Sequence, residues 1–340
     1  MPKAPKTYVD GLLVNWGERW DWSPQHRIVQ SKKTPAGLWL RPSAAGRPAL
    51  TAQDARRNLE GFARKSPQVM VKISGGGKGM RRILAHLDYI TRNGQLPLED
   101  EHGDVANGRG EVRDLAAMWA QGRFPIPDES TRREAFHIVL SMPAGTDAGG
   151  VLNAARRFAA AQFGDNYQHA MALHTFATDP DKRPSRHPHV HLVVKAQGRD
   201  GIRLNPRKAD LQDWREGFAN ALREHGIEAI ATRRRGRLQR EKGESQAVRH
   251  IKARGSVPKR VATAVPQSKA AERARENASR AKKDFGQIAR ALAASEDRAD
   301  QALALDLVNR LRELNGSARD TDLERDLRRP RGKGGATRSD

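Results

Sequence analysis

Cysteine is absent from this chain of 340 residues. Its absence removes disulfides, thiolate zinc sites and a cysteine nucleophile together, and gives no support to secretion into an oxidising compartment. Aromatic residues make up only 5%, and three of them are tyrosines, Tyr8, Tyr89 and Tyr167. Chemistry that needs a phenolic oxygen therefore has three candidates. No apolar run approaches the roughly 20 residues of a membrane-spanning helix, so membrane insertion is not expected. The basic start, residues 1–6, leads into no apolar stretch of signal-peptide type. The chain reads as cytoplasmic. Acidic residues are also short: 40 Asp+Glu against 62 Lys+Arg leave a net charge of +22. Nucleic acid is the polyanion that fits best, because each phosphate neutralised releases condensed counterions. An anionic membrane surface is the alternative.

The length allows one or two domains. Residues 1–66 hold four of the six tryptophans, Trp16, Trp20, Trp22 and Trp39. They read as a Trp-rich N-terminal extension with a helix over 52–63. From 67 to 236 strand and helix signals alternate. Strands are expected over 69–73, 137–141, 170–174 and 190–195, and helices over 80–92, 115–119 and 208–225. A further helix follows the Thr146-Asp147 cap. Gly198-Arg199-Asp200-Gly201 is a hairpin signal that predicts a fifth strand over 202–204. The fold class is α/β, a mainly antiparallel central sheet flanked by helices, with a basic helical C-terminal tail. That tail, 237–340, reads as one or two exposed helices over 258–314 and as disordered from 316 onward. Eleven Lys/Arg stand against two Glu within 231–260. The densest run there, Arg233, Arg234 and Arg235, is either solvated surface or a segment that binds a nucleic-acid strand.

The most informative stretch is His187-Pro188-His189-Val190-His191, followed by Leu192-Val193-Val194. On a strand, side chains at i and i+2 share a face, roughly 7 Å apart. Two imidazoles so placed can converge on one ion at about 2.1 Å from each nitrogen. Val190, Leu192 and Val194 then point the other way, into a core. His174 ends the preceding strand and can pair alongside, giving three imidazoles on two adjacent strands with positions left for water or phosphate. The alternative is a set of exposed or hydrogen-bonded histidines at a strand end. In a basic protein, the metal reading points to chemistry on phosphodiesters.

Tyr89 lies on the expected helix 80–92, whose apolar stripe is Met80, Ile83, Leu84, Leu87 and Ile90. At 100° per residue it sits roughly 150° from the centre of that stripe, on the polar flank. Thr91 and Arg92 follow, a donor and a cation suited to phosphate. A tyrosine hydroxyl can attack phosphorus and conserve the bond energy in a covalent link. The run Ser74-Gly75-Gly76-Gly77-Lys78-Gly79 resembles a phosphate cradle but lacks the spacing of a nucleotide-binding loop. Its expected role is a strand-to-helix turn whose backbone N–H groups and Lys78 meet DNA phosphate.

In this order the pieces resemble plasmid mobilisation relaxases of the HUH (His-hydrophobe-His) endonuclease family, in particular the T-DNA border endonuclease type. The carriers are Gly75-Gly76-Gly77 with the run from His86 to Gly94, then the run from His137 to Asp147, then His174 with the histidine strand. The resemblance covers about 68–236. It implies a site- and strand-specific nick at a plasmid transfer origin through a 5′-phosphotyrosyl intermediate during conjugative mobilisation. It further implies Tyr89 as nucleophile, a divalent ion (Mg2+ or Mn2+) held by His174, His189 and His191, DNA contact at Ser141, and an accessory role for His187. Implied partners are DNA at the transfer origin, accessory mobilisation proteins and a type IV coupling protein, with transfer of the protein alongside the strand left open. The chain departs from the family where Phe176 stands in place of an acid, so that either Asp179 or Asp181 substitutes or the site is weakened, and where residues 1–66 precede the first motif. Two other readings remain open, a rolling-circle replication initiator of the same chemistry and a non-catalytic nucleic-acid-binding accessory protein.

Overall fold

The structure is a computed structural model that describes residues 4–19, 51–164, 166–232, 251, 254–256 and 269–327. The chain divides into two compact units, one of residues 17–51 and 65–233 and the other of 1–16, 52–64 and 234–340.

The first unit is built on a six-stranded sheet. In chain order its strands are β1 (Met70–Gly77), β2 (Leu98–Asp100), β3 (Val105–Ala106), β4 (Ala135–Ser141), β5 (His169–His174) and β6 (His189–Lys195). They lie side by side as β1-β4-β6-β5-β2-β3, and every pairing is antiparallel. This is the α/β class with a mainly antiparallel sheet that the sequence implies.

Each strand alternates its side chains between two cores. Val190, Leu192 and Val194 of β6 join Ile138 and Leu140 of β4 in a cluster with Val151 and Phe158 of helix α5 (Ala148–Phe163) and Trp214 and Phe218 of helix α6 (Lys208–Glu224). Asp147 caps α5 by accepting from the Gly150 N–H. The opposite face packs Ala135, Ala170, Ala172 and Val193 against helix α3 (Met80–Ile90) and helix α4 (Gly108–Gln121), through Ile83, Leu87, Ile90, Leu115 and Trp119. By the two-residue period, His137, His174, His189 and His191 belong to this second face. The sheet thus presents its histidines on the side where α3 lies.

The glycine run corrects the expected phosphate turn. Gly75, Gly76 and Gly77 continue β1 and pair with His137, Phe136 and Ala135. Only Lys78 and Gly79 form the bend, with Lys78 exposed. The N–H groups of Met80 and Arg81 donate to the carbonyls of Pro127 and Asp128, so these donors are already engaged within the protein. Gly79 takes φ +92, where a side chain would be strained, and a Cβ there would meet the Asp128 carbonyl oxygen at 2.3 Å. A Cβ on Gly77 would come within 2.3 Å of Ile83 Cγ1. Gly77 is there because α3 crosses the strand at very short range, whereas Gly76 is crowded by Arg133 and the Ala135 carbonyl and Gly79 by the 128–129 backbone.

Three other expectations change. Residues 202–204 form no strand, only a bridge between Gln197 and Arg203, while the polar stretch after Gln95 supplies β2 and β3. Helix α4 is much longer than 115–119. The tail helices, α7 (Lys269–Ala294) and α8 (Arg298–Leu327), are not merely exposed: Phe285, Ile288, Leu292 and Leu307 are fully buried, and α8 runs past the expected onset of disorder at 316. In the second unit they form a core with α1 (Lys6–Arg19) and α2 (Ala52–Ala63). Phe62 stacks on Phe285 at 4.7 Å, and Arg56 grips the buried Asp300 at 2.6 and 3.0 Å. No described helix is long and apolar enough to cross a membrane.

The close crossing of α3 over β1 predicts that Gly77→Ala overpacks this contact and costs about 1–3 kcal/mol. A urea titration checks it; an unchanged midpoint would show that α3 can slide away from β1 freely.

Candidate active site

His174 and His189 face each other across the β5–β6 ladder, and His191 stands opposite Ala172 on β5 and Val139 on β4. The three rings lie 4.6–5.1 Å apart between centroids. One nitrogen from each falls within 4.8 Å of the others, the spacing of a set that can hold one metal ion.

The hydrogen bonds decide which nitrogens are free. Nδ1–H of His189 donates to the His187 carbonyl at 2.9 Å, which leaves Nε2 with its lone pair. His174 is wholly buried. Its Nε2 lies 2.6 Å from the Ile90 carbonyl oxygen, and its Nδ1 lies 3.0 Å from an Asp179 carboxylate oxygen. The carbonyl can only accept, so Nε2 carries the proton, and Nδ1, which also lies 3.3 Å from Arg92 Nη2, is the nitrogen left with a lone pair. His191 Nδ1 is buried with no hydrogen-bond partner, an orphan of the kind a bound cation satisfies. Burial pulls the pKa of His191 down to about 2, and also lowers those of His174 and His189. All three imidazoles are therefore neutral, the form that ligates metal. On donor type, protonation state and spacing, the residues fit a divalent ion.

The end of α3 brings in the other groups. Tyr89 is 57% exposed, as its position off the apolar stripe requires, and its ring stands edge-on to His191 at 6.3 Å. Thr91 closes the helix by donating its hydroxyl to the Leu87 carbonyl. Arg92 then turns into the left-handed region at φ +52. Its guanidinium lies 4.9 Å from the centre of the Tyr89 ring and clasps Asp179 at 2.8 and 2.9 Å. That clasp holds the Asp179 carboxyl well below the usual carboxylate range and raises Arg92 in turn. The two acids left open by the sequence are thus placed differently. Asp179 touches both Arg92 and His174, whereas the more exposed Asp181 lies 3.5 Å from Arg92, accepts the Arg183 N–H at 3.0 Å and does not touch His174.

The remaining residues scatter. Ser141 is buried opposite His189, and its hydroxyl donates to the Pro188 carbonyl at 3.3 Å. His187 is exposed, with its N–H on Ser185. Lys78 belongs to the bend before α3. Arg233, Arg234 and Arg235 lie outside the described residues. Two histidines went unnoticed in the sequence. His86 of α3 and His137 of β4 stack face to face at 3.5 Å and 3°, with His86 also 6.0 Å from the Tyr89 ring. Burial lowers them to about 4 and about 3 respectively. His86 was legible only as a polar residue three before Tyr89, one helical turn away on the same side.

The antiparallel sheet thus gathers three imidazoles beside an exposed tyrosine and a clamped arginine. Residues 90–227 match the relaxase family in its MobA/VirD2-like nuclease-domain form. The T-DNA border endonuclease VirD2 of Rhizobium radiobacter is 31% identical over 182 residues, covering 49% of this chain and 42% of that protein. VirD2 of Agrobacterium fabrum is 32% identical over 186 residues, with 49% and 40% covered. The chain thus spans less than half the length of these relatives. A solved structure described as "Molecular Basis of Vancomycin Resistance Transfer in Staphylococcus aureus" aligns with 49% of this chain and 98% of its own, at 11% identity and a TM-score of 0.30.

The contacts of Asp179 generate a prediction that separates the two acids. Asp179→Ala should weaken Mn2+ binding about 10–100-fold by leaving His174 unoriented, while Asp181→Ala should leave it nearly unchanged. Calorimetric titration with Mn2+ measures both. Equal losses in the two variants would mean that neither carboxylate orients the histidine.

Proposed function

We propose that the chain is a DNA relaxase that makes a site- and strand-specific nick at a plasmid transfer origin during conjugative mobilisation. The single observation that carries this reading is the exposed Tyr89 ring set edge-on to His191 of the triad, with Arg92 against its face. The relatives' name as border endonucleases supports nicking at a defined DNA boundary.

His174, His189 and His191 would hold a divalent ion, Mg2+ or Mn2+, which supplies charge neutralisation at the scissile phosphate. The chain's own residues do the rest. Tyr89 Oη attacks phosphorus. The bond from phosphorus to the 3′ oxygen breaks, the 3′ hydroxyl leaves, and the 5′ phosphate stays on Tyr89. The tyrosine proton is released to solvent, and the 3′ oxygen takes one up. The Arg92 guanidinium, fixed by Asp179, supplies positive charge beside the attacking oxygen throughout. Because the phosphotyrosyl bond conserves the energy of the phosphodiester, the reverse attack by a 3′ hydroxyl rejoins the strand. The excess of 22 positive charges suits a protein that holds DNA by its backbone. On this reading the protein works in the bacterial cytoplasm with accessory mobilisation proteins and a type IV coupling protein.

Tyr89→Phe keeps the ring and removes only the oxygen. DNA binding should persist, and cleavage of a supercoiled plasmid carrying the transfer region should stop. After cleavage by the unmodified protein, protease digestion should leave a peptide containing Tyr89 on the 5′ end of the nicked strand. An adduct on Tyr8, Tyr167 or a histidine would overturn the assignment, and nicking without any adduct would mean plain hydrolysis.

A further inference from the structure

In the unit that carries the sheet, two described aromatic side chains are exposed, Tyr89 and Phe176, each 57% accessible. The other large aromatics described there, such as Trp119, Trp214, Phe158 and Phe218, are in the cores. Burying a phenylalanine is ordinarily worth about 1.5–3 kcal/mol, so an exposed one on a well-formed loop forgoes that stabilisation. Phe176 is also tied to the active site on both sides in the chain. It lies two residues after His174 and three before Asp179, the carboxylate that Arg92 clasps.

The backbone that presents Phe176 is constrained. Thr178 donates its N–H to the Thr175 hydroxyl at 3.0 Å, the two threonine hydroxyls bond at 2.7 Å, and Asp179 N–H donates to the Thr175 carbonyl at 3.1 Å. Phe176 therefore sits at the tip of a tight turn held at both ends. The Arg186 guanidinium lies 5.8 Å from the centre of its ring. A rigid, solvent-facing ring with a cation beside it offers a π-face for a base and a positive charge for the adjoining phosphate, the two elements of a single-strand binding platform.

Resting on the relaxase reading, we infer that Phe176 is the stacking platform for an unpaired nucleobase of the strand held in the active site, with Arg186 on the neighbouring phosphate. The residue occupying the family's acid position has become a base contact, while Asp179 stands beside His174.

The test uses the full chain with chelator present, so that no strand is cut. Fluorescence anisotropy compares an oligothymidylate of about twenty nucleotides with an abasic strand of the same length and charge. The unmodified protein should prefer the strand with bases. Phe176→Ala and Phe176→Leu should lower that preference by about 5–100-fold, the range expected for one lost stacking contact, with affinity for the abasic strand unchanged. Phe176→Trp should retain the preference. Circular dichroism confirms that each variant is folded. Undiminished preference in the Ala variant, or in the Leu variant, would overturn the inference, as would equal binding of the two strands by the unmodified protein. Those results would leave the nicking reading untouched, since the adduct at Tyr89 tests it separately; loss of the adduct with a Phe176-dependent preference intact would remove the nicking reading and keep the platform.

Discussion

The clasp between Arg92 and Asp179 is the interaction on which the site's assembly rests. It joins residues 87 positions apart, one at the end of α3 and the other on the loop that leaves β5. Through it the helix bearing Tyr89 and the strand bearing His174 are held to one another. The ion pair is almost enclosed, with the two side chains 15% and 3% exposed, so it is not the weak surface pair whose worth is near zero. Removing one partner would strand the other charge in a poorly solvated place. Arg92 accepts a left-handed backbone, at a cost of about 1–2 kcal/mol for a residue with a side chain, and its clasp and its hydrogen bond to the Tyr89 carbonyl offset that strain. Backbone strain at a residue so engaged is consistent with a functional position.

Around that clasp the sheet does two jobs with one period. Along β6 the even-numbered residues are buried with α5 and α6, and the odd-numbered ones carry the histidines. The strand cannot slip by one residue without exchanging Val190 and Leu192 for imidazoles in a dry core. The same register that stabilises the fold therefore fixes the spacing of the candidate ligands. Burial also supplies their chemistry: because the rings are largely withdrawn from water, they are held neutral and ready to ligate.

Much of this was legible in the sequence, and the reasons for the rest are physical. The alternation of β6, the start of α3, the polar position of Tyr89 and the approach of His174 all follow from local period and from apolar anchoring. Strand β2 is three residues long and rich in acid, too short for a period to register. The glycine run had the composition of a turn but belongs to a strand, because Gly76 and Gly77 serve close approach, of Arg133 and the Ala135 carbonyl at one and of α3 at the other, and not chain reversal. The choice between Asp179 and Asp181 depends on how the loop folds back onto Arg92, which no spacing encodes. The His86–His137 stack joins a helix to a strand 51 residues away, and nothing in either local pattern announces it. The pairing of α2 with the tail helices is also long-range, set by Arg56 on Asp300 and Phe62 on Phe285, and α1 is tied there by Lys6 on Asp297.

The order of these elements along the chain has a consequence for synthesis. Tyr89 precedes His191 by 102 residues, and the strands that gather the histidines, β5 and β6, come after it. At ribosomal rates of about 5–20 residues per second, roughly 5–20 s separate the appearance of the tyrosine from that of the last histidine. During that interval the nascent chain carries Tyr89 with no assembled histidine triad beside it. A product truncated anywhere in that stretch is missing at least one imidazole of the triad. The triad thus arrives late and all at once, when β6 closes between β4 and β5.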